Sequence, residues 1–265
     1  YTISASDGRA TTSKDVAITI TGTNDAPVIS AATKVAGTLT EGSVLTDSGS
    51  FTFSDLDLSD RPSASVSTSA ATVAATKADN SALTLTTAQV DALKAGLTVS
   101  TVGTNTNTGT VNWTYSASEA NMNFLAAGEK VTLTYSVSVS DSKGGSISQP
   151  VTITITGTND APTISDVADI DFIEAGNASA QNLSASGTVS FDDIDTNDVV
   201  DISAALTTQA VWSAGTIDAG LKAQLEAGFT ASATDAAAPG STGWDYTVNN
   251  ANLDFLLVGE TITLT

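Results

Sequence analysis

"TGTNDAP" occupies Thr21–Pro27 and recurs letter for letter at Thr156–Pro162, 135 residues further on. Around it the chain drifts but keeps step. "VAITITGTNDAPVIS" (Val16–Ser30) pairs with "VTITITGTNDAPTIS" (Val151–Ser165), and "FSDLDLSD" (Phe53–Asp60) with "FDDIDTND" (Phe191–Asp198). "WTYSASEANMNFLAAGEKVTLT" (Trp113–Thr134) pairs with "WDYTVNNANLDFLLVGETITLT" (Trp244–Thr265), and "YTISASDG" (Tyr1–Gly8) with "YSVSVSDS" (Tyr135–Ser142). The offsets stay between 131 and 138, the mark of a tandem repeat with small loop insertions.

Each repeat reads as β-structure. "KDVAITIT" (Lys14–Thr21), "KVTLTYSVSVS" (Lys130–Ser140) and "PVTITIT" (Pro150–Thr156) alternate apolar residues with Thr or Ser. That period of two predicts strands with one buried and one wet face, and β-branched Thr keeps the wet face extended. "SDSKGG" (Ser140–Gly145) and "TNTNTG" (Thr104–Gly109) read as turns. Two stretches break the pattern. "TTAQVDALKAGL" (Thr86–Leu97) and "TIDAGLKAQLEAGF" (Thr216–Phe229) predict short amphipathic helices, capped by Thr87 and Thr216 and stopped at Gly96 and Gly228. The expected fold class is all-β: tandem Ig-like or cadherin-like Greek-key β-sandwiches, each with one short helix. Trp113, Tyr115 and Phe124 are the expected core anchors, matched by Trp244, Tyr246 and Phe255.

Within this frame Tyr1 is equivalent to Tyr135, and Thr265 to Thr134. Residues 1–23 therefore read as the C-terminal hairpin of a preceding or neighbouring repeat, 24–158 as a complete repeat, and 159–265 as a second repeat lacking its last strands. Two arrangements remain open. The window belongs to a continuous array, or Tyr1–Thr23 completes a neighbouring copy by donating main-chain hydrogen bonds to an open sheet edge.

Charge narrows the chemistry. The chain carries 29 acidic and 9 basic residues, a formal net charge of −20, with no Cys and no His. Nucleic acid and bare anionic membranes are improbable partners for such a surface. Disulfides, thiolate nucleophiles, Cys- or His-ligated metals and His-based triads are excluded. Hard cations bound by oxygen are not. The acids that survive the drift fall at equivalent places: Glu41 with Glu174, Asp55 and Asp57 with Asp193 and Asp195, Asp60 with Asp198, Glu129 with Glu260, and Asp141 with Asp7. Asn24 and Asp25, like Asn159 and Asp160, lie in the repeated phrase itself, which joins one repeat to the next. A lone Asp in a turn caps backbone N–H groups, and for Asp7 and Asp141 that is a serious rival reading. Several acids converging on one joint would repel one another unless a cation neutralised them, and calcium suits an all-oxygen set.

The order Glu, Asp-x-Asp, Leu-x-x-Glu, Ser-Asp-Gly, x-Asn-Asp-x-Pro resembles cadherin ectodomains. With its "VTITITGTNDAP" ending it resembles still more the VCBS and cadherin-like repeats of very large bacterial RTX-type surface adhesins, over essentially the whole chain. The resemblance implies calcium between repeats. The joint at Gly157–Pro162 would draw on Glu41, Glu129, Asn159, Asp160, Asp193 and Asp195. The joint at Gly22–Pro27 would draw on Asn24, Asp25, Asp55, Asp57 and Asp141, with equivalents of Glu174 and Glu260 from the repeat before. Asp7 is the counterpart of Asp141. Gly22 and Gly157 stand where the cadherin linker opens with Asp, and "LAAGE" lacks an Asp of the cadherin pattern, which leaves room for fewer ions per joint.

The leading expectation is a non-enzymatic extender module, calcium-rigidified at its joints, on an extracellular bacterial surface reached by type I secretion and supporting adhesion or biofilm formation. Its partners would be adjacent repeats or neighbouring copies, without nucleic acid or membrane insertion. Two alternatives are a fibre subunit completed by strand donation from Tyr1–Thr23, and a glycan- or protein-binding module using the dissimilar loops Thr104–Gly109 and Thr234–Gly243. A two-carboxylate hydrolase has little support, because the repeated acids lie at joints.

Overall fold

The computed structural model describes residues 1–43, 45–102, 106–177 and 179–265. The chain begins with a hairpin of β1 (Thr2–Ser6) and β2 (Thr11–Asp15), paired antiparallel. Every residue from Tyr1 to Ala26 is exposed, including Ile18 and Ile20.

The first sandwich follows. Its strands are β3 (Val28–Lys34), β4 (Ala36–Thr40), β5 (Thr46–Ser54), β6 (Ser63–Val66), β7 (Thr72–Thr76), β8 (Leu97–Val102), β9 (Thr108–Ser116), β10 (Lys130–Ser140) and β11 (Ser146–Thr156). One sheet runs β3-β5-β9-β8. The other runs β4-β11-β10-β6, with β7 also on β10. All neighbours are antiparallel except β4 and β11, which lie parallel through five residue pairs from Thr152–Ala36 to Thr156–Thr40. The predicted alternation of β10 is realised: Val131, Leu133, Tyr135, Val137 and Val139 are buried while the intervening Thr and Ser residues face outward. Phe51, Phe53 and Trp113 oppose them from the other sheet, and the Trp113 indole N–H donates to the Lys34 carbonyl at 2.7 Å. Gly49 is needed beneath that ring, since a Cβ there would overlap it.

Helix α1 (Thr87–Lys94) closes one end, buries Leu93, and offers the Leu93 carbonyl to the hydroxyls of Tyr115 and Tyr135. Its N-cap is Thr86, one residue earlier than expected, because only that position forms the reciprocal capping box with Gln89. Gly96 follows the helix without adopting a positive φ. Its role is close approach, as a Cβ would strike Tyr115 and the Ser116 carbonyl.

The second set of strands is β12 (Thr163–Ile164), β13 (Gln181–Asp192), β14 (Val199–Ser203), β15 (Val211–Trp212), β16 (Phe229–Ala237), β17 (Gly240–Ala251) and β18 (Ile262–Thr263). The order β12-β13-β17-β16-β14 makes one five-stranded sheet, and among the described residues the other strands of this half form the two-stranded pair β15-β18. Helix α2 (Ala219–Glu226) is capped by Asp218 rather than Thr216; its carboxylate takes the N–H groups of Gly220 and Leu221 and sits favourably at the helix N-terminus. Trp244 and Tyr246 are buried as expected, whereas Phe255 is half-buried against the edge of Trp212. Thr234–Gly243 is not an open loop. β16 and β17 run to within two residues of each other around Ala238 and Pro239.

One expected strand is absent. Lys14–Thr21 is regular only to Asp15. In the first sandwich the equivalent residues 152–156 pair with Lys130–Thr134, whose counterparts are Thr261–Thr265 at the far end of the chain. Tyr1 and Val16 exchange a pair of backbone bonds at the place of the Tyr135–Val151 register pair, and beyond Val16 the stretch pairs with no strand among the described residues. Of "TNTNTG", Thr104 and Asn105 lie outside the described residues, and Thr108 and Gly109 open β9 rather than a turn.

Candidate metal centres at the repeat joints

The repeated phrase makes the same local structure twice. Asp25 N–H donates to Asp57 Oδ2 at 2.8 Å, and Asp160 N–H to Asp195 Oδ2 at 2.9 Å. Asp57 N–H donates to Asp55 Oδ1 at 3.0 Å, and Asp195 N–H to Asp193 Oδ1 at 3.0 Å. Asn24 and Asn159 each turn their side-chain amide onto the carbonyl of the next residue, Asp25 or Asp160. The Asp-x-Asp loops end alike, with Asp60 N–H on Asp57 O and Asp198 N–H on Asp195 O. The backbone of the phrase is bonded to the Asp-x-Asp loop of the following sandwich at both places, and its Asn side chain folds back on the next carbonyl each time.

At Gly157–Pro162 the preceding sandwich adds its own acids. Glu41, at the end of β4, accepts from Thr158 N–H at 2.8 Å, and Glu129 accepts from Ala126 N–H at 3.3 Å and Asn197 Nδ2 at 3.5 Å. Thr196 bonds the Phe124 carbonyl through both its backbone N–H and its hydroxyl. Gly157 lies against the Leu125 and Ala126 carbonyls, where any Cβ would collide, so an acid cannot occupy the position that opens a cadherin linker. Glu41, Glu129 and Asp195 are each no more than 3% exposed.

Burial leaves oxygen atoms without donors: Glu41 Oε1, Asp160 Oδ2 and Asp195 Oδ1 at this joint, and Asp55 Oδ2 and Asp60 Oδ2 at the other. Burial pushes the Glu41 carboxyl up to about 7, with Asp160, Asp195 and Glu119 adding repulsion against the opposing Thr158 bond. Burial likewise raises Asp195 to about 6, helped by Asp198, Asp193 and Asp160. An unpartnered buried carboxylate oxygen is costly, and several in one place fit a cation with hard oxygen ligands. Among the described residues, one group of three acids has ligand atoms all within 4.8 Å of one another: Asp55, Asp57 and Asp60.

Asp141 joins the Gly22–Pro27 side, accepting from Asn24 Nδ2 at 2.9 Å while also capping its own turn through Lys143 and Gly145 N–H groups. The Asn24 amide and the Lys143 N–H hold its carboxyl below the usual range. Asp7 only caps, accepting from Arg9 and Ala10 N–H groups. Glu260 accepts from Leu257 N–H, as Glu129 does from the equivalent Ala126, and from the Trp212 indole. Glu174 is half-buried in the irregular stretch before β13. None of Asp7, Glu174 and Glu260 shares a hydrogen bond with either joint among the described residues. Participants outside the expected ligand set are Glu119, which accepts from Gly42 N–H, and Asn107, which binds the Asp55 carbonyl; neither has a repeated counterpart. Asp60 is a third. Its match with Asp198 was the available signal.

No family model and no curated protein matches the chain. Among solved structures it is similar to a titin fragment at 8% identity, covering 91% of this chain and 97% of that one with a TM-score of 0.24. It is similar to a cis-dimer structure of protocadherin gammaB7 at 12% identity, covering 91% of this chain and 46% of that one with a TM-score of 0.32. The Dpr2 Ig1–Ig2 structure in complex with DIP-Theta gives 11% identity, 86% and 89% coverage, and a TM-score of 0.23. The fold class stands on the chain's own topology: a mostly β architecture of Ig-like sandwiches, each with one short helix. No helix among the described residues is long and apolar enough to cross a membrane.

Proposed function

We propose that the chain is a structural extender built of tandem sandwiches, non-enzymatic, with calcium-braced joints, serving an extracellular bacterial adhesin of the VCBS and RTX type. The domain limits 1–23, 24–158 and 159–265 belong to this reading. The observation that carries it is the meeting at one joint of Glu41 from one sandwich, Asp160 from the link and Asp195 from the next, each with a buried oxygen lacking a donor. A bound calcium would supply the positive charge those oxygens lack and tie three segments to one point. The chain's own residues do the rest. Thr158 and Asp160 fix the link by donating to Glu41 and Asp195, and Thr196 fixes the next sandwich by donating to Phe124. Small-angle scattering tests the reading: the chain should be longer and stiffer in millimolar calcium than in chelator, and Asp193→Ala with Asp195→Ala should remove the difference while both cores stay folded. Equal profiles in calcium and chelator would refute it.

A second reading is favoured by the hairpin. β1 and β2 expose the surface that β10 and β11 bury, and among the described residues β15-β18 is a sheet of two strands only. The hairpin of one copy would complete the second sandwich of another, giving filaments that deletion of Tyr1–Thr23 abolishes.

A further inference from the structure

Nine basic residues serve the whole chain, and one of them, Lys143, places its ammonium 3.1 Å from Asp60 Oδ1 although the Asp60 side chain is only 1% exposed. Asp60 belongs to the tight group with Asp55 and Asp57, where Asp60 Oδ2 and Asp55 Oδ2 are buried without donors. Arg61, the next residue, turns its guanidinium onto the Leu58 and Asp60 carbonyls at 3.0 and 2.5 Å. The corresponding acids of the following repeat, Asp193, Asp195 and Asp198, have no ion-pair partner among the described residues, and Val199 stands where Arg61 does. Their ligand atoms are also not drawn within 4.8 Å of one another among the described residues. A basic residue recurs at the equivalent place, Arg9 two residues past Asp7 as Lys143 lies two past Asp141.

We propose that Lys143 is a tethered counter-ion of Asp55, Asp57 and Asp60, holding them together without a divalent ion and competing with one for the same carboxylates. This rests on the cation-binding reading of the joints and adds that the two joints fill at different calcium concentrations. One ammonium offsets one of three negative charges, enough to draw the group together and not enough to satisfy it. Its side chain is 55% exposed, so it can swing away, and a divalent ion arriving beside it meets like charge. The carboxylates here therefore bind calcium more weakly than their geometry alone would allow.

The experiment titrates calcium into the full 265-residue chain by calorimetry, and follows urea unfolding in chelator and in calcium. Glu41→Gln with Asp195→Asn silences the Gly157–Pro162 joint, isolating the first group. In that background Lys143→Gln should tighten calcium binding about tenfold, while Lys143→Arg leaves it near the parent value. In chelator Lys143→Gln should lower the urea midpoint, and calcium should restore it. Unchanged affinity, or a lowered midpoint that calcium does not restore, would overturn the proposal. Absence of binding in that background with either Lys or Gln at 143, alongside binding by the unmodified chain, would overturn it and leave the braced Gly157–Pro162 joint standing. Absence of binding by the unmodified chain would remove both.

Discussion

The Glu41 carboxylate accepts the backbone N–H of Thr158 at 2.8 Å across 117 positions of sequence, leaving its other oxygen buried and without a donor. The bond fixes the link to the first sandwich. The stranded oxygen makes the joint costly to keep ionised without a counter-charge.

Glu41→Gln removes that charge and keeps an acceptor for Thr158. In chelator at pH 8 it should raise stability by about 1–2 kcal/mol, and it should weaken calcium binding at Gly157–Pro162. Urea unfolding and calcium titration of the same variant check both.

The metal-free chain should lose stability as pH rises. The folded-state carboxyls of Glu41, at about 7, and Asp195, at about 6, lie above their unfolded values. The native state therefore holds more protons than the unfolded state in this window, and stability falls between roughly pH 4.5 and 7. Asp141 and Asp7, whose carboxyls are lowered, add stability that is lost only below about pH 4. Unfolding at pH 5 and pH 7.5 in chelator should show the lower midpoint at pH 7.5, and saturating calcium should abolish or reverse that order.

Gly157→Ala drives a Cβ into the Leu125 and Ala126 carbonyls and should cost about 1–3 kcal/mol. Gly22→Ala, at the equivalent position, meets nothing within 4 Å and should be close to neutral. Thermal unfolding of the two variants checks the contrast.

Trp113→Phe gives up the bond to the Lys34 carbonyl along with ring volume, and should cost about 2–4 kcal/mol. The equivalent Trp244 indole N–H is buried with no partner, so Trp244→Phe should cost less, about 1 kcal/mol. Scanning calorimetry of each variant beside the parent chain, following which unfolding transition shifts, distinguishes them.

What could be read in advance followed from covalent repetition and period. Both repeats keep the Asp-x-Asp loop because its carboxylates are the acceptors for the backbone of the phrase, so those acids show as matched positions in the sequence. Lys130–Ser140 was legible to the residue because its alternation matches the burial of a central strand. Lys14–Thr21 was not, because its partners are the counterparts of residues at the opposite end of the chain, and alternation says nothing about whether a partner is present. The caps moved by one or two residues because Thr86 and Thr87 are the same residue type, and only Gln89 decides between them. Lys143 has no sequence signal of its own, because a lone basic residue carries no pattern apart from the Asp60 that folding places beneath it.

The parallel zipper of β4 against β11 has a consequence for a chain held at its two ends. Strand β3 takes the pull from the incoming link first and β4 follows it, while β11 runs directly into the outgoing link, so once β3 has parted from β5, tension between the two ends drags β4 and β11 in opposite directions along their own axes. The hydrogen bonds spanning Ala36–Thr40 and Thr152–Thr156 then carry load together in shear instead of peeling open singly. Parting β4 from β11 then needs all of these bonds to break together, whereas β3 can leave β5 one bond at a time.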